Sequence, residues 1–357
     1  MTGVTREEID CFRSIVAERL GLDCDASQFE HLAEVLRDRL RATGCAQFSA
    51  YLERLTLGTT CRMELRALAQ QLTVGETYFF RYPDHFQAFV EVALPIQRQV
   101  LAGPRHMRIL SAGCASGEEP YTLAMLIREN LPELAAGHVT ILGIDINAAF
   151  LEKAKRARYS AWSLRNTSES VRQRAFRLEG KEFMLQESIR TMVAFEERNL
   201  IEADPGFWRA AVFDIIFCRN VTMYFSPEAT RTVIARLAHA LAPGGFLFLG
   251  PAETLRGISQ AFHLCHTHET FYYQRRDSRE ARTLSDVAPR ATPAPWPALP
   301  IEAALEPDAS WVDVICRASE RIAALAHSAV AQTPPASPAV APAWPAGHAG
   351  AAPVCGP

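Results

Sequence analysis

Hydrophobic residues recur at helical spacing through residues 1–72. Four stretches place apolar side chains three or four positions apart, which predicts four amphipathic helices. Ile9, Phe12 and Val16 belong to the first stripe, and Gly44 follows the second as a C-cap. We therefore predict an all-helical N-terminal domain over residues 1–72, followed by a linker over residues 73–106.

From residue 107 the pattern changes to apolar strands that alternate with helical stripes. The predicted strands include Met107–Ser111, Val139–Ile144, Phe213–Cys218 and Phe246–Leu249. This alternation predicts an α/β domain over residues 107–276 with a doubly wound, mostly parallel sheet. Residues 159–198 show a looser pattern, which predicts a small inserted subdomain of antiparallel strands. Ligands of such sheets bind at the carboxyl ends of the strands.

Proline marks the C-terminal part of the chain. Thirteen of the 22 prolines follow residue 280. We predict a disordered Pro/Ala-rich tail over residues 277–357 that contains one helical stripe at 311–330.

Charge and composition exclude several classes of protein. The net charge of −3 over 357 residues lacks the excess of basic residues that is typical of nucleic-acid-binding proteins. No apolar run reaches the ~18 residues of a membrane span, and the acidic N-terminus does not resemble a secretory signal. The nine cysteines show no metal-ligand spacing. We expect a cytoplasmic protein with reduced thiols and no bound metal, although His263, His266 and His268 form a short cluster.

A glycine-rich turn follows the first predicted strand. Gly113 and Gly117 allow a tight turn and a close approach of ligand to backbone, but they match neither GxGxxG nor a P-loop. Glu118 and Glu119 would repel a pyrophosphate and would favour a cationic ligand such as S-adenosylmethionine. A purely structural turn with solvated acids is the alternative.

Three further segments carry polar residues at strand ends or in the linker. Asp145 ends the second strand, where a carboxylate can accept hydrogen bonds from ribose hydroxyls. Arg219 and Asn220 follow the strand at 213–218 and precede Tyr224, either as a capped loop or beside a reacting centre. The linker segment LTVGETYFFR, residues 72–81, has a composition suited to folding over a ligand.

Together, LTVGETYFFR, SAGCASGEEPYTLAM, GIDIN, FDIIFCRNVTMYF and LAPGGFLFLGPAE resemble the chemotaxis-receptor glutamate methyltransferases, the CheR family. The resemblance covers about residues 5–275 in the expected order. It implies a class I S-adenosylmethionine-dependent methyltransferase domain behind an N-terminal helical domain, with an inserted β-subdomain. The family usually carries Asn at the position of Gly75 and GHSE where this chain has GPAE at 250–253.

The resemblance also implies roles for individual residues. The cofactor-binding positions that it implies, together with the loop glycines, are Thr77, Arg81, Gly113, Gly117, Glu118, Asp145, Asn199, Leu200, Arg219 and Asn220. The implied reaction transfers the sulfonium methyl to a glutamate carboxylate, which is already ionised at pH 7 and needs no general base. We assign Arg81 to holding that carboxylate and Tyr224 to positioning the methionine end of the cofactor.

The implied partner is the cytoplasmic helical domain of methyl-accepting chemoreceptors, bound by a monomeric enzyme. Arg37 and Arg41 lie four residues apart on one predicted helix face, which is either a docking surface or an ordinary solvated face. Two other functions remain open at this point. One is a non-catalytic relative that senses S-adenosylmethionine or scaffolds a signalling array, and the other is a methyltransferase for a different substrate.

Overall fold

The N-terminal part of the chain folds into helices. In the computed structural model, the described residues are 4–56, 58–100, 106–132 and 137–277. The first four helices are α1 (Arg6–Leu20), α2 (Phe29–Thr43), α3 (Phe48–Thr56) and α4 (Gly58–Leu72). Thr5 forms a capping box with Glu8 at the start of α1, and Gly44 ends α2 in the left-handed conformation. The predicted tail, including the helix at 311–330, lies outside the described residues.

A buried ion pair ties the N-terminal helices together. Arg39 on α2 donates two hydrogen bonds to Glu64 on α4, at 2.6 and 2.9 Å. Tyr51 on α3 donates a third bond to Glu64 at 2.7 Å. Burial raises the pKa of the Glu64 carboxyl, but these bonds outweigh it and leave that pKa below its usual value. Arg39 therefore has a structural role inside the bundle.

The predicted linker is more than a spacer. Its second half forms α5 (Pro83–Ala88), a π-helical turn (Phe89–Ala93) and α6 (Leu94–Val100). Phe86 and Phe89 are buried against Phe217 of the sheet, so these helices belong to the core of the α/β part.

A seven-stranded sheet forms the centre of the chain. Its strands are β1 (Met107–Ala112), β2 (Val139–Asp145), β6 (Val193–Glu197), β7 (Phe213–Cys218), β8 (Leu241–Leu249), β9 (Phe262–Thr267) and β10 (Thr270–Arg275). Their order is β6-β2-β1-β7-β8-β10-β9, in which β10 runs antiparallel to both neighbours. The pairs β1–β2, β1–β7, β2–β6 and β7–β8 are parallel. This is the doubly wound, class I methyltransferase architecture that the sequence predicts.

Helices cover both faces of the sheet. They are α7 (Glu118–Asn130), α8 (Ala148–Arg156) and α11 (Pro227–Ala240). The strand order reverses between β1 and β7, and such a reversal opens a crevice at the carboxyl ends of the two strands. The loops after β1, β2 and β7 all reach that crevice.

The inserted subdomain is smaller than predicted. β3 (Arg158–Tyr159), β4 (Phe176–Glu179) and β5 (Glu182–Leu185) form an antiparallel sheet, joined by short helices α9 (Glu169–Ala175) and α10 (Glu187–Arg190). The prediction that residues 192–195 belong to this insert is wrong. β6 pairs in parallel with β2 and forms an edge of the main sheet, because Ile141 and Val193 are register partners there. No helix among the described residues is long and apolar enough to span a membrane.

Candidate active site

A cavity lies at the carboxyl ends of β1, β2 and β7, beneath the N-terminal helices. Nine of the predicted site residues line it, namely Thr77, Arg81, Gly113, Asp145, Asn199, Leu200, Arg219, Asn220 and Tyr224. Leu20, Leu22, Ala69 and Leu72 also line it, so α1 and α4 contribute apolar wall. Helical spacing alone does not distinguish Leu20 and Ala69 from ordinary core residues, whereas Leu72 begins the linker segment that is predicted to fold over a ligand.

The loops after β1 and β7 meet closely at the cavity floor. Gly113 has φ +72°, and a Cβ there would lie 2.4 Å from a methyl group of Val221. Only glycine allows this approach. Asn220 also adopts a positive φ of 58°, and its Oδ1 is buried without a hydrogen-bond partner. A buried, unpartnered acceptor at the cavity wall fits a ligand that donates a hydrogen bond.

Asp145 presents a carboxylate to the cavity. Its Oδ2 accepts a bond from the Ala115 N–H at 2.9 Å, and its Oδ1 accepts one from the Asn147 N–H at 2.8 Å. Each oxygen keeps a lone pair, as the two hydroxyls of a ribose require. Burial outweighs these bonds and raises the pKa of Asp145 above its usual value.

After the glycine loop, the structure presents a different glutamate to the cavity from the one predicted. Glu118 is 1% exposed and accepts a bond from the Ser116 hydroxyl at 2.7 Å, and its carboxylate lies outside the cavity lining. Burial raises its pKa. Glu119 lines the cavity instead. Consecutive helical residues point about 100° apart, so the sequence could not choose between these two neighbours.

Gly117 also lies outside the cavity lining. Its φ is +90°, and a Cβ there would lie 2.8 Å from the Ala154 methyl group. This glycine lets the start of α7 pack against α8. Its position therefore serves the fold of the loop.

The Arg219 guanidinium is held on several sides. It donates to the Glu119 carboxylate at 2.6 Å and to the Arg81 carbonyl at 2.7 Å, and it lies 3.2 Å from His85 Nδ1. Burial and the adjacent Arg219 charge lower the pKa of His85 to about 3, so its neutral ring accepts a bond from Arg219. Arg219 thus joins the linker, α5 and α7 at the cavity wall. His85 lies outside the motifs that predict the site, so its contact with Arg219 could not be inferred from local pattern.

Asn199 and Tyr224 connect the cavity to the N-terminal helices. The Asn199 amide donates to the Arg19 carbonyl at 2.8 Å and accepts from the Ile201 N–H at 3.1 Å. The Tyr224 carbonyl accepts a bond from the Asp23 N–H at 2.8 Å, while its side chain is 38% exposed at the cavity. Both residues therefore help to hold the two parts of the site together.

Comparison with known proteins decides the family. Residues 75–271 match the model of the CheR methyltransferase S-adenosylmethionine-binding domain. The chain belongs to the CheR family. It is accordingly an S-adenosylmethionine-dependent methyltransferase, as the motifs predict. The family-model match begins at Gly75, which stands at the start of the cavity-lining linker.

Relatives of this CheR-family chain include chemotaxis methyltransferases and biofilm formation methyltransferases. Chemotaxis protein methyltransferase 2 of Vibrio cholerae is 31% identical over 76% of this chain and 94% of that protein. Chemotaxis protein methyltransferase 1 of Pseudomonas aeruginosa is 30% identical over 75% of this chain and 97% of that protein. A probable biofilm formation methyltransferase, WspC of Pseudomonas putida, is 35% identical over 68% of this chain. The chain spans about half the length of that relative, 55%.

Two histidines of the cluster at 263–268 contact other side chains. His268 lies within hydrogen-bond distance of Glu91, at 2.8 Å, and His266 packs against Phe271. Within the part of the chain that the structure describes, no three His, Cys, Asp or Glu side chains are grouped as metal ligands.

Proposed function

We propose that this enzyme transfers the methyl group of S-adenosylmethionine to glutamate side chains of chemoreceptors, forming glutamyl methyl esters in chemosensory adaptation. The observation that carries the proposal is the placement of Arg81. Arg81 lines the same cavity as Asp145 and donates a hydrogen bond to the Glu76 carbonyl at 2.8 Å, and its side chain forms no ion pair with a carboxylate of the described residues. A cation beside a nucleoside pocket fits an anionic substrate.

The residues of the cavity fit the cofactor from one end to the other. Asp145 would hold the ribose hydroxyls, and the apolar side chains of Ile146 and Leu200 would enclose the adenine ring. Glu119, rather than the predicted Glu118, would face the cationic methionine end. When bound, the cofactor supplies a methyl group on a positively charged sulfur.

The protein's task in the reaction is positioning. The substrate carboxylate is ionised at pH 7 and is itself the nucleophile, so no proton has to be removed. Arg81 would hold this carboxylate by a paired hydrogen bond, and the Tyr224 hydroxyl would position the methionine end. The apolar wall from α1 and α4 excludes water, which favours methyl transfer over hydrolysis.

The product distinguishes this function from the alternatives. Purified enzyme is incubated with receptor-containing membranes and cofactor carrying a labelled methyl group. Release of the label as methanol under mild alkali is expected, because a glutamyl methyl ester hydrolyses under these conditions. Binding of cofactor without any transfer would instead identify a sensing or scaffolding protein, and an alkali-stable label would identify a different acceptor.

Two variants test the assigned roles. Arg81→Ala is expected to lower turnover on receptor about 100-fold or more, since positioning contributes many powers of ten in rate. Tyr224→Phe removes one hydroxyl and is expected to lower turnover about tenfold. Normal rates in Arg81→Ala, or unchanged turnover in Tyr224→Phe, would remove these assignments.

The face of α2 that carries Arg37 and Arg41 is our proposed receptor docking surface. Both side chains are exposed, and Arg41 pairs only with Asp38 of its own helix, within the described residues. Arg39, which lies between them in the sequence, forms an ion pair with Glu64 inside the helical bundle. Undiminished receptor binding by an Arg37→Glu, Arg41→Glu double variant would exclude this face. We expect a monomer to bind the receptor, which sedimentation of the complex measures.

A further inference from the structure

One cluster of aromatic and basic side chains adjoins the cavity through Arg81, and its other three members have no part in the proposed chemistry. It consists of Tyr78, Arg81, Trp162 and Arg165, which we call the aromatic rim. Trp162 is 71% exposed, in the turn that follows β3. Single exposed apolar residues are common on protein surfaces, but an exposed tryptophan beside stacked arginines resembles the centre of an interface.

Stacking fixes the Arg165 guanidinium within the rim. Its central carbon lies 3.6 Å from the centre of the Tyr78 ring and 4.3 Å from the Trp162 ring. One of its N–H groups donates to the Trp162 carbonyl at 2.9 Å. A planar guanidinium held in this way keeps its remaining N–H groups oriented for a carboxylate.

The rim is continuous with the cavity. Arg81 lines the cavity, and its guanidinium lies 5.8 Å from the same Tyr78 ring that Arg165 covers. A backbone bond from the Phe79 N–H to the Ser163 carbonyl, at 3.0 Å, joins the linker to the turn that carries Trp162. These contacts connect the turn that carries Trp162 to the linker segment that carries Arg81.

The charge of the rim is positive. The rim presents two guanidiniums. The carboxylate that pairs with Arg165 is that of Glu76, whose Oε1 lies 4.0 Å from the Arg165 guanidinium and whose side chain is 69% exposed. At that distance and exposure the pair is weak and would exchange readily for another carboxylate. Since both guanidiniums contact one ring, they lie no more than about two turns of an α-helix apart, or ~11 Å.

We propose that the aromatic rim binds an acidic, helical segment of the substrate, with Arg165 pairing a second carboxylate and Trp162 covering an apolar side chain. This inference rests on the proposed function. Arg81 holds the glutamate that is methylated, and Arg165 contacts an acidic residue one or two turns away on the same helix face. The rim would thus select glutamates that lie in acidic surroundings.

The test compares substrate kinetics with cofactor binding. Trp162→Ala and Arg165→Glu are each expected to lower kcat/KM for a receptor fragment about tenfold, mainly through KM. Binding of S-adenosylhomocysteine is expected to change less than twofold, which also shows that the variants are folded. Leu264→Ala and Arg209→Glu are matched controls, because both residues are exposed, Leu264 on the edge strand β9 and Arg209 in the loop before β7.

A charge reversal in the substrate completes the experiment. Receptor fragments in which an acidic residue near the methylated glutamate is replaced by lysine are expected to recover activity with Arg165→Glu and to lose it with the parent enzyme. Equal receptor kinetics in parent and rim variants would overturn the rim proposal while the proposed function stands. A parent enzyme that methylates no receptor would overturn the proposed function, and the rim proposal with it.

Discussion

Replacing Glu253 with glutamine should loosen the loop that follows β7. One carboxylate oxygen accepts bonds from the Val221 N–H, the Thr222 hydroxyl and the Met223 N–H at 2.9, 2.8 and 3.2 Å. The other accepts bonds from the Asn220 and Gly250 N–H groups at 2.7 and 2.6 Å. Five donors thus converge on one side chain, which holds Asn220 and Val221 at the cavity.

The size of the effect follows from the chemistry of the amide. Glutamine has the same shape as glutamate, but one of its ends is an NH₂ donor. Whichever way it turns, at least two N–H or O–H donors then face another donor. Each hydrogen bond to a charged group contributes about 1.5–3 kcal/mol. Because the side chain is half-buried and water can replace part of the loss, we expect Glu253→Gln to lower the free energy of unfolding by about 2–4 kcal/mol.

Urea unfolding measures the change in the free energy of unfolding, and titration calorimetry measures the affinity of the cavity for S-adenosylhomocysteine. We expect affinity to fall about tenfold, because Asn220 and Val221 line the cavity. Glu228→Gln is the matched control, since Glu228 is 78% exposed and pairs with Arg231 one helical turn away. That control should change stability by less than about 0.5 kcal/mol. If Glu253→Gln matched the control in both measurements, the loop would not depend on this carboxylate.

Three further predictions concern the linker, α5 and β2. A Cβ at Gly75 would lie 2.3 Å from the Phe150 ring. Gly75→Asn should therefore weaken S-adenosylhomocysteine binding, and the added substitution Phe150→Ala should restore it. Additive losses of affinity in the double variant would contradict this explanation. The pKa of His85, about 3 when folded, lies below the value near 6.5 of an unfolded chain. The stabilisation by neutral His85 is therefore fully present above pH 6.5 and is lost as the pH falls from there towards 3. Acid unfolding curves should show a smaller loss of stability in His85→Gln than in the parent protein. Asp145→Asn should weaken S-adenosylhomocysteine binding about tenfold. In the parent protein, affinity should fall as the pH is lowered through the raised pKa of Asp145. Titration calorimetry should show a flatter dependence of affinity on pH for Asp145→Asn.

Several parts of the fold followed from local pattern. The stripes of α1 to α4 and the strands β1, β2 and β7 lie where periodicity places them, because burying one face of a helix or a whole strand leaves a repeating record in the sequence. The same pattern places β6 in the wrong sheet. A short apolar run is the same in an antiparallel insert and at a parallel edge, and its partner, β2, lies far away in the sequence.

The candidate site shows the same division. The glycine turn, the acid after β2 and the polar pair after β7 could be recognised in the sequence, because each directly follows a strand and ligands bind there. The structure decided that Glu119 rather than Glu118 lines the cavity, and that Glu253 organises the loop 33 residues before it in the chain. These choices depend on which groups are brought within hydrogen-bond distance, which local pattern does not record.

The sequence by itself determined the α/β class, the methyltransferase family and most of the strand-end residues that line the cavity, because each of these depends on short-range spacing. Only the tertiary structure decided how the site is closed and held. It placed apolar side chains of α1 and α4 over the cavity, enclosed Arg219 between Glu119 and His85, and set Tyr78 against Arg165. Such contacts join residues tens to more than a hundred positions apart, and they form only when helices and sheet pack together.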